Sequence, residues 1–252
     1  MYDCGMEVLP LFTSHYSIGD SILTLDESLE IKDNYPVSLI ALAKKYSQVL
    51  RLVDNNLSGF IEGYKNSSKN KIEFQFGLKL CVCDDLTKKD EESFLTESNV
   101  IIWILNSNGY KDLLQIYNQA ATDGFYYIPR TDWAALKQKM TNNLGLTIPF
   151  YSSFIAKNTF NYKHRAIPDF GALKPILQIE AHDLPFDNLL MQKTLSFGAQ
   201  TQKTHSCYYF KNEDILQYTV FRCVNNRTSF DKPNLSHFSS NKFSFESFYG
   251  KL

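Results

Sequence analysis

Cys81 and Cys83 are the residues whose spacing first raises a question of chemistry, because two neighbouring thiolates can bind a metal or exchange electrons. They form Cys-x-Cys, whereas zinc ribbons and thioredoxin-like redox sites use Cys-x-x-Cys. Residues two apart in a strand point to the same side. The chain has five cysteines, an odd number that gives no small-domain disulfide framework. We therefore predict two buried or half-buried thiols in a reducing compartment rather than a metal clip.

Other short motifs that carry a mechanism are missing from the sequence. There is no Walker loop, no Gly-x-Gly-x-x-Gly, no His-Glu-x-x-His and no Gly-x-Ser-x-Gly. The chain has five histidines, and none of them occurs in a His-x-His or Asp-His pair. No Asp-x-Asp pair suited to two-metal nucleotidyl transfer occurs either. The sequence therefore does not indicate a polymerase active site.

The charge balance argues against a protein that binds nucleic acid by itself. Lysine and arginine total 26 against 27 acidic residues, whereas binding to phosphate backbones usually requires a basic excess. A local basic contact for nucleic acid or an acidic partner is still conceivable at Lys157, Lys163, His164 and Arg165, with a solvated loop as the alternative. No apolar stretch is long enough to cross a bilayer, and the amino terminus lacks a basic leader. We predict a cytoplasmic protein.

Strand-like and helical patterns alternate along the chain. Predicted strands are Val8–Phe12, Val49–Val53, Ile72–Phe76, Leu78–Val82, Val100–Leu105 and Ile176–Ile179. Predicted helices are Val37–Tyr46, Leu57–Tyr64 capped by Asn55 or Asn56, Tyr110–Gln119, a helix from a Thr131 cap to about Met140, and one starting at Asn212. Phe150–Pro175 is rich in loop signals, and the tail after Asn225 looks irregular, although its phenylalanines suggest packing. The alternation predicts one α/β domain over residues 1–252, with a parallel sheet, open or closed into a barrel, inside a layer of helices.

Eight segments occur in a characteristic order. They are Tyr16–Asp20 (YSIGD), Asp54–Phe60 (DNNLSGF), Phe76–Leu80 (FGLKL), Asn108–Leu114 (NGYKDLL), Asp123–Asp132 (DGFYYIPRTD), Gln178–Pro185 (QIEAHDLP), Thr204–Asp214 (THSCYYFKNED) and Arg227–Asn234 (RTSFDKPN). Together they resemble the PHP domain (polymerase and histidinol phosphatase) that opens bacterial DNA polymerase III alpha subunits. The most specific match is DGFYYIPRTD, whose family counterpart reads EGFYYKPRID. The resemblance implies a distorted (β/α)7 barrel of the PHP type, without polymerase palm, fingers or thumb.

The resemblance also implies metal chemistry, because the family's hydrolases hold two or three divalent metals on His and carboxylate side chains. At the ligand positions this sequence has poor ligands, namely Leu11, Thr13, Asn55, Lys79, Asn99, Ser206 and Tyr208. Candidate ligands that are retained are Asp20 and Asp54, with His15 and His205 nearby. We therefore expect no catalytic residue, no metal and no cofactor, with Asp20 and Asp54 capping turns and His15 and His205 as hydrogen-bonded rim residues. An active form would use these four residues with zinc or manganese.

Lys79 is the substitution that reverses the charge at a ligand position. Beside His15 and His205 it could line a pocket for an anion. Alternatively, it could replace the charge of the metals by pairing with Asp20 or Asp54, which is the more economical hypothesis.

Three functions are compatible with this resemblance. The first is a pseudoenzyme that binds a DNA polymerase, a proofreading exonuclease or a clamp, since the resemblance implies that metal-free PHP domains act as scaffolds. A gene of this kind would come from a phage or a mobile element. The second is a divergent metal-dependent phosphoesterase or 3′–5′ exonuclease. The third is a structural or host-takeover protein of a phage. The resemblance favours the first.

Overall fold

The computed structural model describes residues 7–31, 36–95, 97–160, 167–229 and 240–250 as an α/β fold. Its strands are β1 (Leu9–Phe12), β2 (Val49–Asp54), β3 (Glu73–Cys83), β4 (Ser98–Ile104), β5 (Arg130–Asp132), β6 (Leu144–Ile148), β7 (Ile176–Ile179) and β8 (Thr201–Cys207). Its α-helices are α1 (Leu39–Leu42, followed by a π-helical turn, Ala43–Ser47), α2 (Phe60–Lys69), α3 (Glu91–Leu95), α4 (Ser107–Ala121), α5 (Trp133–Lys139), α6 (Phe154–Phe160), α7 (Asp187–Ser196), α8 (Ile215–Asn226) and α9 (Phe245–Tyr249). Within the described residues, no helix is long and apolar enough to span a bilayer.

The strands pair in the order β2-β1-β8-β7-β6-β4-β3-β5, and a further pairing of β2 with β3 closes seven of them into a ring. The predicted (β/α) barrel is therefore confirmed. The prediction of a purely parallel sheet is wrong, because β4 runs antiparallel to both β3 and β6. A continuous apolar run such as that of β4 indicates burial on both faces, but it carries no information about strand direction.

The chain divides into two compact units, each made of separate segments. Unit 1 comprises residues 1–76, 180–187 and 204–252, and unit 2 comprises residues 77–179 and 188–203. The boundary falls within strands β3 and β8. The hypothesis of one domain over residues 1–252 stays a prediction.

In unit 1, β1 is the central strand. Leu9–Phe12 pairs in parallel with Thr204–Cys207 of β8, and Phe12 is in register with Leu52 of β2. The predicted asparagine cap of α2 is wrong: Gly59 is the N-cap residue and makes no side-chain bond. Asn56 instead accepts a hydrogen bond from the backbone N–H of Ser58, a local turn that competes with helix capping.

Residues 240–250 of the carboxyl-terminal tail pack as the phenylalanines of the tail predicted, while Phe230 and Phe238 lie outside the described residues. Phe243, Phe245 and Phe248 are all buried. Ser244 caps α9 by accepting a hydrogen bond from the N–H of Ser247. The tail therefore contributes to the core of unit 1 although its sequence looks irregular.

In unit 2, the two thiols of β3 are buried and free, as predicted. Burial raises the pKa of the Cys83 thiol to about 11, so it is protonated at neutral pH and a poor nucleophile. The predicted Thr131 cap is wrong by one residue, because Asp132 accepts the hydrogen bond from the N–H of Ala135 at the start of α5. The loop-rich segment Phe150–Pro175 contains the short helix α6.

Arg130 organises the loops of unit 2 from a fully buried position. Its Nε donates to the carbonyl oxygen of Gly124 at 3.2 Å, and its Nη2 donates to the carbonyl oxygen of Lys88 at 3.1 Å. Its Nη1 lies 3.4 Å from the Ser93 hydroxyl and 3.5 Å from Glu97 Oε1. One guanidinium thus joins the segment after β3 to the segment before β5.

Replacing Arg130 with methionine is expected to destabilise the fold by about 3–5 kcal/mol, because it leaves a buried carboxylate and two carbonyl groups without their donor. The measurement is the free energy of unfolding in urea. Lys137→Met is the matched control, since it removes the same charge from an ion pair with the exposed Asp169 and should change stability little. Equal stability of the two variants would contradict this role of Arg130.

Candidate functional site

The carboxylate of Asp54 lies at the carboxyl end of β2 and is fully buried. Because β1 and β2 are parallel, the loop that follows β1 meets this end of β2. Ser14 donates to Asp54 from its backbone N–H at 2.9 Å and from its hydroxyl at 2.7 Å, and the Ser17 hydroxyl donates at 2.8 Å. Burial raises the pKa of Asp54, and these hydrogen bonds partly offset that effect. Asp54 therefore fixes the Thr13–Ser17 loop.

The neighbouring positions that the resemblance assigned to metal ligands have structural roles in unit 1. Leu11 is buried in β1. The Thr13 hydroxyl donates to the carbonyl oxygen of Val53 at 3.0 Å. The backbone N–H of Asn55 donates to the Ser17 hydroxyl at 3.0 Å, while the Asn55 residue itself is exposed. These contacts hold β1 and β2 and their loops in place.

His15 and Asp20 are both half-buried residues of the loop after β1. The His15 ring lies 4.3 Å from the Tyr16 ring between centroids, and the Tyr16 hydroxyl donates to Glu62 at 2.6 Å. The backbone N–H of Asp20 donates to the Ser17 carbonyl oxygen at 2.9 Å. Capping of this turn by the Asp20 side chain stays a prediction.

A second buried carboxylate, Glu180, follows β7 and was not among the predicted site residues. Its Oε1 accepts from the hydroxyls of Ser206 at 2.9 Å and Thr204 at 3.2 Å. Its Oε2 lies 2.7 Å from Nε2 of His182 and accepts from the N–H of Ser206 at 3.2 Å. Burial alone would raise the pKa of Glu180, but the hydrogen bond and charge of His182 and the bond from Ser206 hold it below its ordinary value.

The His182 ring connects Glu180 to the carboxyl-terminal tail. Its Nδ1 lies 3.0 Å from the carbonyl oxygen of Lys242. The Phe243 ring stacks on it at 3.8 Å and 11°. The Ser240 hydroxyl donates to the carbonyl oxygen of His182. Since both ring nitrogens face oxygen acceptors, a protonated ring would donate to both of them.

His205 is not the rim residue that the sequence predicted, because it is only 2% exposed. Its Nε2 lies 3.3 Å from the carbonyl oxygen of Ser244, and its ring contacts those of His182 and Phe248. Side chains alternate across a strand, so Thr204 and Ser206 face Glu180 while His205 points to the other face of β8. Sequence spacing could have shown this alternation, but not which face is covered by the tail.

Tyr208, the last of the predicted ligand positions in unit 1, belongs to an aromatic cluster. Its ring stacks with those of Tyr218 at 5.7 Å and Phe243 at 5.5 Å. Burial raises the pKa of its hydroxyl well above the ordinary value. In the part of the chain that the structure describes, no three His, Cys, Asp or Glu residues are grouped so that they could hold a metal ion.

The remaining predicted positions belong to unit 2 or lie outside the described residues. Lys79 on β3 and Asn99 on β4 are half-buried, and Asn99 pairs with Cys81 in the antiparallel ladder. The pairing of Lys79 with Asp20 or Asp54 stays a prediction. Lys157 is half-buried in α6. Lys163, His164 and Arg165 lie outside the described residues, so the basic contact also stays a prediction.

Glu180→Gln is expected to lower the free energy of unfolding at pH 7 by about 3 kcal/mol, because it breaks a buried charged network. The pKa of Glu180 in the folded protein lies below its ordinary value. The ionised carboxylate therefore stabilises the fold at pH values above that ordinary value. This contribution disappears as pH falls through the lowered pKa of the folded state. The difference between the variant and the wild-type protein should therefore shrink in acid. Urea unfolding at several pH values measures it, and a difference that grows in acid would contradict the assignment. The exposed Glu213→Gln is the control.

Comparisons with curated proteins find DNA polymerase III alpha subunits. The subunit of Treponema pallidum is 24% identical over 251 residues, which cover 93% of this chain and 20% of the relative. The subunit of Chlamydia trachomatis is 29% identical over 127 residues, which cover 50% of this chain and 10% of the relative. The chain thus spans about a tenth to a fifth of the length of these two relatives.

Comparison with solved structures finds a proposed metal-dependent phosphoesterase of Bifidobacterium adolescentis. Its TM-score is 0.44 at 9% identity, and the match covers 79% of this chain and 87% of that chain. The family model described as "PHP domain" matches residues 12–169, which is more than half of this chain. This match includes the Asp54 site and the Arg130 loops, and by it the chain belongs to the PHP domain family.

Proposed function

We propose that this chain is a non-catalytic PHP domain that acts as an interaction module for a replicative DNA polymerase or its proofreading exonuclease. Membership of the PHP family and the likeness to DNA polymerase III alpha subunits support a link to replication. The chain matches only a small part of those subunits, so their polymerase activity is not carried over. A bacterial replication partner would place the chain in the cytoplasm, and a phage or mobile-element gene is our hypothesis for its source.

The hydrogen bonding of Asp54 is the single observation that carries this proposal. Asp54 is a retained candidate ligand, yet its Oδ1 and Oδ2 both accept short hydrogen bonds from Ser14 and Ser17 inside a fully buried pocket. A divalent cation would have to displace these donors and reach a carboxylate without solvent access. The serine donors partly offset the cost of its burial and occupy both of its oxygens.

The side chains at the family's ligand positions support the same conclusion. A multinuclear centre needs several carboxylates and imidazoles that converge on the ions. The family's ligand positions instead hold apolar, hydroxyl, amide and ammonium side chains: Leu11, Thr13, Asn55, Lys79, Asn99, Ser206 and Tyr208. These residues do not fit such a metal centre. The alternative of a phosphoesterase or 3′–5′ exonuclease using Asp20, Asp54, His15 and His205 with zinc or manganese is therefore the less supported one.

Protein purified without chelator is expected to contain less than stoichiometric zinc and manganese by plasma mass spectrometry, because too few ligands converge. It should not hydrolyse a phosphodiester reporter or shorten the 3′ end of DNA when either metal is added. Its melting temperature should not change after chelation. Two or more tightly bound ions per chain, together with hydrolysis that chelation removes, would overturn the non-catalytic proposal.

The purified chain is expected to bind the DNA polymerase III core or the proofreading exonuclease of its source organism, with a dissociation constant at or below about 10 µM, as for a transient protein complex. Interferometry with each immobilised protein measures this, and the sliding clamp is the third candidate in the series. Binding to a short single-stranded oligonucleotide at physiological salt should be much weaker, because the chain has no basic excess. If the chain binds none of the three proteins, the proposed interaction module is refuted.

A further inference from the structure

A loop of unit 2, Thr122–Pro129, presents large apolar side chains to solvent between α4 and β5. Phe125 is 48% exposed, Tyr127 is 76% exposed and Ile128 is 41% exposed. Single exposed apolar residues are normal on soluble proteins, but three within four positions of one loop form a patch that calls for an explanation.

This loop is held in one conformation by its own hydrogen bonds and by Arg130. The backbone N–H of Tyr126 donates to the carbonyl oxygen of Ile128 at 3.2 Å, and that of Gly124 donates to Gln119 at 3.0 Å. The Arg130 guanidinium donates to the Gly124 carbonyl oxygen and lies 4.9 Å from the centre of the Tyr126 ring. A partner that binds this loop would lose little free energy in ordering it, because the loop is pre-organised.

The tip of the loop has an unfavourable backbone conformation. Tyr127 has φ of 62°, in the left-handed region that bulky residues rarely adopt and that glycine or asparagine would occupy at lower cost. Its ring lies 4.7 Å from that of Tyr126, but most of its surface is in water. Backbone strain at an exposed residue points to a role in binding.

The residue next to Tyr127 adds to the same apolar surface. Ile128 is an exposed β-branched apolar side chain. A surface that faces only water does not benefit from such a side chain, whereas a surface that enters an apolar cleft does.

The charges around the loop select the kind of partner. Asp123 is exposed within the loop, and the negative charge of Asp90 acts on Tyr126. The segment Asp84–Glu92, part of which Arg130 attaches to the loop, carries five carboxylates and two lysines. This acidic border disfavours a phosphate backbone and complements lysine or arginine.

We propose that Thr122–Pro129 is the contact surface for a protein partner that offers an apolar cleft bordered by lysine or arginine. The proposal rests on the proposed function, since it names the surface that the interaction module uses. Tyr127 and Ile128 insert into the cleft, and Asp123 pairs with its basic border. Tyrosine at the centre of a small rigid surface is typical of residues that dominate binding free energy.

The test compares two variants that each place a lysine at an exposed apolar position. Ile128→Lys places a charge in the loop, and Val224→Lys adds the same charge on α8, where Val224 is 72% exposed. Ile128→Lys is expected to weaken binding to the polymerase core or the exonuclease by roughly ten-fold or more, with little effect from Val224→Lys. Asp123→Asn should weaken binding less and should reduce its salt dependence. Binding by Ile128→Lys that equals wild type would overturn the loop proposal, while the proposed function would stand.

If wild type binds none of the candidate proteins, the proposed function fails and the loop is tested separately. Benzoylphenylalanine, a photo-crosslinking amino acid, then replaces Tyr127 in the full chain, and illumination in the native host crosslinks the chain to the proteins that contact this position. The same amino acid in place of Val224 is the control. The loop proposal holds if the crosslinked protein, once identified and purified, binds wild type and loses this binding with Ile128→Lys. The absence of a crosslink specific to position 127, or binding of single-stranded DNA that Ile128→Lys alters, would overturn it.

Discussion

A buried carboxylate must be compensated, and this requirement determines how the loop after β1 is arranged. Asp54 is fully buried, and desolvation of its charge is unfavourable unless donors replace the lost water. Ser14 and Ser17 supply those donors. Through them, one side chain at the end of β2 fixes the conformation of a loop that carries His15 and Asp20. The hydrogen bonds between Asp54 and the two serines therefore position this loop.

Glu180 meets the same requirement with a different outcome for its pKa. Burial raises the pKa of Asp54, whereas the charge and hydrogen bond of His182 keep that of Glu180 low. The direction of each shift follows from whether the neighbouring groups outweigh desolvation, which those around Glu180 do and those around Asp54 do not. Because His182 also contacts Lys242 and Phe243, the ionised Glu180 holds the tail in the core of unit 1. The irregular sequence of the tail is compatible with this packing, since side-chain contacts hold it rather than a long helix.

The sequence predicted the elements better than it predicted the contacts among them. Apolar runs located β1, β2, β3, β4 and β7, and gave the bounds of β7 to the residue. They missed β5, β6 and β8. They could not reveal the antiparallel direction of β4, because burial on both faces looks the same in either direction. Asp54 was recognised as a retained acid, but its serine donors lie 37 and 40 positions away in the chain. Glu180 was missed and His205 was predicted at the rim, because the tail that covers them is remote in sequence and lacks a periodic pattern.

The PHP fold constrains backbone positions more than it constrains chemistry, and this chain illustrates the difference. Strand ends that converge can hold cations when they carry acids and imidazoles, but they can equally be closed by serines, a histidine and a glutamate that satisfy one another. At Asp54 and Glu180 such hydrogen bonds occupy both oxygens of each carboxylate. The exposed surfaces of the fold are not bound by this requirement, because their side chains have no buried charge to satisfy. The exposed Tyr127, with φ of 62°, lies on a surface of this kind.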